Sequence, residues 1–189
     1  MSEVVPHGWE VKKIGDIGVV ITGSTPSTKD SQFWGGEIPF ISPADFDGNV
    51  YVENTAKTVT EKGAEKGKLL PKDAILVTCI GSLGGIAMSR YPSISNQQIN
   101  AVVVKAKQNS RFHFYNILFN INKLTKSAGS TTLPIINKTT FSEIELLSPP
   151  FPEQQKIANI LSSVDDVIEK TRAQIDKLKD LKTGMMQEL

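Results

Sequence analysis

The run from Pro152 to Leu189 constrains this chain most: it has no proline after its first residue and a single glycine, Gly184. Within it Ile157, Leu161, Val164, Ile168, Thr171, Ile175, Leu178, Lys182, Met185 and Leu189 recur at alternating intervals of four and three residues. That spacing is a heptad seam, interrupted at Thr171 and Lys182, and it predicts one long helix. Ile160, Val167 and Leu181 widen the stripe along its flank. A small domain has too little surface to cover so continuous an apolar face, so the helix is expected to pair with another. Ile157, Leu161, Val164, Ile168, Ile175, Leu178 and Met185 are the candidate dimerisation contacts. About 37 residues at roughly 1.5 Å each make a rod of about 55 Å.

Three prolines, Pro149, Pro150 and Pro152, stand at the entrance to that run. Proline fixes its own φ and restricts the residue before it, so the chain enters the helix with few conformations open to it. Proline is tolerated in a first helical turn, and Glu153 then sits at the positive end of the helix dipole. Stiffening of this kind couples a domain's orientation to the helix axis, which suits a rod used as a ruler. The expected organisation is a globular domain over residues 1–148, then a proline hinge and a spacer or dimerisation helix over 149–189.

The first 148 residues read as a mixed, short-stranded α/β domain. Apolar and β-branched runs bounded by Gly, Pro, Asn or Asp predict strands at Gly18–Thr22, Ile38–Ser42, Asn49–Val52, Ala74–Ile80, Gly85–Ser89, Ile99–Lys105 and Ser142–Leu147. Their irregular spacing argues against a doubly wound sheet. Phe114, Ile117, Leu118, Ile121 and Leu124 recur at helical spacing and predict a helix over Arg111–Lys126 capped by Ser110. In that helix Phe112, Phe114, Tyr115 and Phe119 are expected to pack in the core, and His113 to lie on the surface. A short helix is expected at Glu61–Lys66, after Thr60.

The net charge of +1 hides a division along the chain. Residues 1–73 hold 8 basic and 11 acidic side chains, and residues 143–189 hold 6 and 9. From Ala74 to Ser142 there is no carboxylate at all, against seven cations: Arg90, Lys105, Lys107, Arg111, Lys123, Lys126 and Lys138. A segment stripped of acids is suited to facing a polyanion, because carboxylates near phosphates would repel them. A solvated basic face is the plainer alternative. Cys79 is the only cysteine, which excludes an internal disulfide and a cysteine-based zinc site within one chain. No apolar run approaches a membrane span and the N-terminus lacks an export pattern, so the expectation is a cytoplasmic protein without membrane contact.

Catalytic patterns fare poorly. Ser148-Pro149-Pro150-Phe151 fits the S/N/D-P-P-Y/F signature of DNA amino-methyltransferases. That chemistry also needs a methyl-donor site, a strand followed by a glycine-rich turn opening a helix. Gly81-Ser82-Leu83-Gly84-Gly85 follows a strand but leads into another strand. A P-loop is absent, and His7 and His113 are the only imidazoles. Glu10-Val11-Lys12 has an E-x-K spacing without an acidic partner in a suitable turn. The chain reads as a binder, with no catalytic residue and no metal site.

Several blocks together resemble one family, the DNA-specificity subunits of type I restriction–modification systems. They are GWEVKKIGDIGVVITGSTP (Gly8–Pro26), FWGGEIPFISPADF (Phe33–Phe46), LLPKDAILVTCIGSLGGIAM, NQQINAVV and the stretch from SAGSTTLPIINKTTF to DDVIEK. They occur in the family's order and cover nearly the whole chain. Such subunits usually carry two recognition domains and two spacer helices, whereas this sequence has one of each and looks like a half-subunit. The resemblance implies one target-recognition domain and one long coiled-coil helix. It implies as partners double-stranded DNA, methyltransferase subunits, a restriction/translocase subunit, and a second half-subunit in an antiparallel homodimer. It places no cofactor on this chain; S-adenosylmethionine, ATP and Mg are expected on the partner subunits.

Short polar and amide side chains read base edges, whereas Lys and Arg mostly hold phosphates. Asn96, Gln97 and Gln98 offer three amides in one loop, suited to adenine, although side-chain amides also cap loops. Ser130, Thr131 and Thr132, with Lys138 behind them, suit phosphate. Arg90, Lys105, Lys107 and Lys126 complete the phosphate candidates, while Ser24, Thr25 and Trp34 read as structural. Two other readings remain open: a coiled-coil interaction protein, and a regulator that pairs with a full-length specificity subunit.

Overall fold

The computed structural model describes residues 5–126 and 134–187. Its strands are β1 (Glu10–Lys13), β2 (Gly18–Thr22), β3 (Trp34–Ile41), β4 (Tyr51–Val52), β5 (Lys57–Val59), β6 (Ile75–Thr78), β7 (Ile86–Ser89), β8 (Ile94–Ser95), β9 (Ile99–Val104) and β10 (Glu145–Ser148). Its helices are α1 (Ile14–Ile17), α2 (Glu61–Lys66), α3 (Ser110–Phe119), α4 (Ile121–Lys126), α5 (Lys138–Ser142) and α6 (Phe151–Gln187). This is the expected mixed α/β domain followed by one long helix.

A five-stranded sheet in the order β2-β9-β6-β7-β4 forms the centre. Its neighbours are antiparallel except for β4, which runs parallel to β7. All four residues of β6 are buried because the sheet is covered on both faces. Ile75 and Val77 point into one cluster with Ile14, Ile17, Phe114, Leu124 and Phe141. Leu76 points into the other with Ile41, Leu70, Ile99 and Ala101. A three-stranded sheet, β5-β3-β8, and the antiparallel ribbon β1-β10 complete the body.

Several elements depart from the sequence expectations. The helix expected over Arg111–Lys126 breaks at Asn120, where the backbone leaves helical geometry (φ −94°, ψ 14°) and Nδ2 donates to Asn116 O at 2.9 Å beside the backbone bond to the same carbonyl. Its N-cap is Asn109, not Ser110: the Asn109 side chain accepts from Phe112 N at 2.8 Å. Phe112 and Phe114 are buried, but Phe119 is 87% exposed. Lys138–Ser142 is helical, capped by Asn137, so the last strand starts at Glu145 rather than Ser142. The strands β5 and β8 are too short to carry a readable alternation, and β1, Glu-Val-Lys-Lys, has only one apolar residue.

The long helix is fastened by one amide. Gln154 is 1% exposed, and its Oε1 accepts from Asn109 N at 2.9 Å. Its Nε2 lies within hydrogen-bond distance of Pro149 O (2.9 Å), Gln108 Oε1 (3.1 Å) and Ser148 Oγ (3.2 Å). Pro150 O accepts from the backbone N–H groups of Glu153 and Gln154, which starts α6. Ser148 to Phe151 is therefore a hinge whose polar atoms are used in joining the domain to the helix. About three turns onward, Tyr115 donates to Asp165, and Arg111 reaches the same carboxylate at 3.4 Å. Beyond these contacts the seam stays open: Val164, Ile168, Ile175, Leu178 and Met185 are all exposed.

His113 is fully buried, contrary to the surface position expected for it, because it lies on the inner side of α3 against the hinge. Its Nε2 sits 2.8 Å from Gln108 Oε1, so the ring donates there in its neutral form, and Nδ1 is buried without a partner among the described residues. Burial, with a smaller contribution from Lys12, pushes its pKa down to about 4. The folded chain therefore binds fewer protons than the unfolded chain between about pH 4 and pH 6.5. Stability rises with pH through that window and is lost as pH falls, by about 3 kcal/mol in all. Urea unfolding at several pH values should show this slope, and His113→Gln should flatten it. An unchanged slope in the variant would place the acid sensitivity elsewhere.

Candidate nucleic-acid interface

Sheet register decides which loops share a surface. β9 runs antiparallel to both β2 and β6, with Thr22 opposite Asn100 and Thr78 opposite Ile99. The loop after Gly23, the 79–85 loop and the Asn96–Gln98 turn therefore gather at one end of the sheet. The 134–136 segment joins them: Gly81 N donates to Pro134 O at 3.2 Å and Ile136 N to Cys79 O at 2.8 Å. Cys79 itself is buried there, and burial pushes its thiol up to about 11, which leaves it an inert thiol.

The three amides take different roles at this end. Asn96 Nδ2 donates to Gln98 Oε1 at 2.9 Å, and Gln98 N donates to Asn96 Oδ1 at 3.1 Å. These two shape the turn. Gln97 is exposed, and its Oε1 accepts from Thr25 Oγ1 at 2.6 Å. That bond fixes the amide's orientation and leaves Nε2 with no partner among the described residues. The Gly23 loop presses against the turn so closely that a Cβ on Gly23 would lie 2.2 Å from Asn96 O. Trp34 Nε1 donates to Ser27 O at 3.1 Å and anchors the same loop to β3. A cleft of about 550 Å³ lined by Ser42, Phe46, Thr78, Ser82 and Gln98 opens beside the turn.

The cations do not all follow. Lys126, at the end of α4, and Lys138, at the start of α5, are exposed next to this end, with no ion pair among the described residues. Lys68 joins them by donating to Thr22 O at 3.1 Å. It escaped the sequence reading because it belongs to the acid-rich first segment. Arg90, Lys105 and Lys107 lie at the opposite end of the sheet, since Val104 pairs with Gly18 and Ile75 with Met88. Arg90 pairs with Glu53 at 3.4 Å and stacks on Tyr51 at 5.1 Å. Lys105 Nζ reaches Asp16 O at 3.0 Å and Gly15 O at 3.2 Å, satisfying carbonyls of α1. Lys107 is exposed in a left-handed turn with φ of 62°. Ser130, Thr131 and Thr132 lie outside the described residues.

Arg111 belongs to the helix joint. It lies 5.1 Å from the Tyr51 ring and 5.6 Å from the Tyr115 ring, and Nε donates to Tyr115 Oη at 3.0 Å. Tyr51 in turn donates to Asp73 Oδ1 at 2.8 Å; burial first, then Asp73, raise its pKa. This carbon-rich, charge-paired cluster holds α6 against the sheet edge. Among the described residues no group of three His, Cys, Asp or Glu side chains is placed to hold a metal ion. Nor is any described helix long and apolar enough to cross a membrane.

Comparison with known proteins agrees with this architecture. The chain is 36% identical over 185 residues to the MjaIX specificity subunit of a type I restriction enzyme from Methanocaldococcus jannaschii. It is 32% identical over 188 residues to the HindI specificity subunit from Haemophilus influenzae. These alignments cover 94% of this chain but only 42% and 40% of those proteins. The chain thus spans about two fifths of the relatives it matches. Its fold is similar to the HsdS subunit from Thermoanaerobacter tengcongensis, with a TM-score of 0.70, 18% identity, and coverage of 92% of this chain and 41% of that one. A type I S subunit from M. genitalium is similar at a TM-score of 0.64, 19% identity, and coverage of 90% and 42%. Residues 6–180 match the family described as the type I restriction modification DNA specificity domain, and to that family this chain belongs.

Proposed function

We propose that this chain is a sequence-reading half-subunit of a type I restriction–modification assembly and performs no chemistry itself. The observation that carries the reading is the loop end of the five-stranded sheet. There Gln97 is an oriented, exposed amide, Lys68 donates to Thr22 O beside the same turn, and the exposed Lys126 and Lys138 flank the segment that joins the 79–85 loop. Gln97 reads a base edge, with adenine its natural partner, while the lysines hold phosphates. The hinge at 149–152 divides a recognition domain from a spacer helix. The exposed seam of that helix pairs antiparallel with a second copy, and the pair presents two recognition domains at opposite ends.

A rod of about 55 Å spans about one and a half turns of DNA. Two-fold symmetry then requires an inverted, bipartite target with unread bases between the halves. Methyltransferase subunits, which hold S-adenosylmethionine, and an ATP- and Mg-dependent restriction subunit supply the chemistry at the site so chosen. The specificity subunits named among the relatives support this assignment of roles.

Binding to a duplex library, with the methyltransferase subunit present, tests the reading. Gln97→Ala should relax preference at one base position and cost about 1–3 kcal/mol there. Lys138→Ala should weaken binding to every sequence alike and reduce the salt slope by about 1. Salt-independent binding, or a Gln97 variant with the parent's base preference, would contradict it.

A further inference from the structure

A largely apolar groove of about 270 Å³ lies where α3 meets the first turns of α6; Trp9, Phe112, Phe119, Ile157 and Leu161 line it together with Lys123. Trp9 is held at its rim by a hydrogen bond from Nε1 to Glu153. Two of its walls, Ile157 and Leu161, are the first members of the heptad seam, so groove and seam form one continuous surface. Phe119 stands almost wholly in solvent on its far side. A phenylalanine so placed loses the stabilisation that burying its ring would give, which marks the groove as a surface to be covered.

Antiparallel pairing of this seam with itself allows several registers a heptad apart, and two of them bring the last turns of the second copy's helix opposite Ile157 and Leu161. One sets Leu161 against Met185 of the second copy, Val164 against Lys182, Ile168 against Leu178 and Thr171 against Ile175. A shift of one heptad sets Leu161 against Leu178, Val164 against Ile175, Ile168 against Thr171 and Ile157 against Lys182. The groove chooses between them. In the shifted register Lys182 of the second copy enters a groove that Lys123, of like charge, already lines, and the second copy's Met185 meets Gln154, whose side chain is buried and already used within its own domain. In the first register Met185 and Met186 of the second copy arrive at the groove. Both methionines are more than 60% exposed on the single chain (63% and 66%), and flexible thioethers fill irregular apolar clefts and pack well against aromatic rings.

We infer that the groove between α3 and α6 is the socket for the C-terminal methionines of a second copy, fixing the pair in the register that sets Leu161 opposite Met185. This rests on the antiparallel homodimer proposed above. It adds that the recognition domain of one copy grips the helix end of the other, so the spacing between domains is set by a socket at each end as well as by the seam. Phe119 closes over the incoming methionines.

Mixed single-cysteine variants test the register. Cys79 is buried, and the parent chain serves as the control for it. Under mild oxidation Leu161→Cys mixed with Met185→Cys should form a mixed disulfide, and Leu161→Cys mixed with Leu178→Cys should not. Phe119→Ser, at an exposed position, should raise the dimer dissociation constant about tenfold or more. The parent's mass across a concentration series separates the two levels of the claim. A parent that stays monomeric throughout overturns the pairing, and the register with it. A parent dimer that cross-links Leu161→Cys to Leu178→Cys, or Leu161→Cys to itself, leaves pairing intact and overturns the register. An undiminished dimer in Phe119→Ser, with methyltransferase binding lost instead, assigns the groove to that subunit and overturns the socket.

Discussion

Gln154 is the interaction on which the rest of the molecule depends. One buried amide ties the backbone N–H ahead of α3 to the carbonyl of the first hinge proline, and reaches Gln108 and Ser148 as well. Removing it would leave several buried polar groups unpaired, each at about 1–3 kcal/mol. The three hinge prolines narrow the directions the chain can take, and Gln154 selects one of them. Asp165, held by Tyr115 and Arg111, repeats the attachment farther along the helix. A helix fastened at two levels has its axis fixed relative to the sheet. That is the mechanical requirement for a spacer that measures distance rather than merely tethering.

The same geometry separates two uses of positive charge. At one end of the sheet Arg90 and Lys105 are engaged by Glu53 and by the carbonyls of α1, while Arg111 is drawn into the helix joint. Those cations stabilise the fold. At the other end Lys68 is held by the Thr22 carbonyl beside the Gln97 turn, while Lys126 and Lys138 are exposed with no ion pair among the described residues. An acid-free segment of sequence therefore does not equal one basic surface, because antiparallel pairing sends alternate loops to opposite ends.

How much was legible depended on whether the cause was local. The seam, the hinge prolines, the Thr60 cap of α2 and the apolar run of β6 act over a few residues and are readable as letters. The break at Asn120 was missed because the apolar period runs on through it unbroken, and the turn of the backbone there, with its side-chain bond back to Asn116, leaves no mark on that period. His113 and Phe119 were each placed on the wrong side of the surface. Spacing shows which positions share a helix face, but not where the hinge will press on it. The partners of Arg90 and Arg111 lie in the acidic segments on either side, and only the folded register brings them near. For the Asn96–Gln98 turn the residue types were readable. That Gln97 stays out of the turn's own bonds and is oriented instead by a hydroxyl on Thr25 was not, since Thr25 is distant in sequence.

The central claim is that two copies, held at a fixed spacing, direct methylation to a two-part target. Modified-base sequencing of DNA from cells expressing this chain with a type I methyltransferase subunit, against cells lacking the chain, tests it most directly. The account predicts a new methyladenine motif made of two inverted half-sites around unread bases. A continuous motif, or none when both proteins are present and associated, would contradict it.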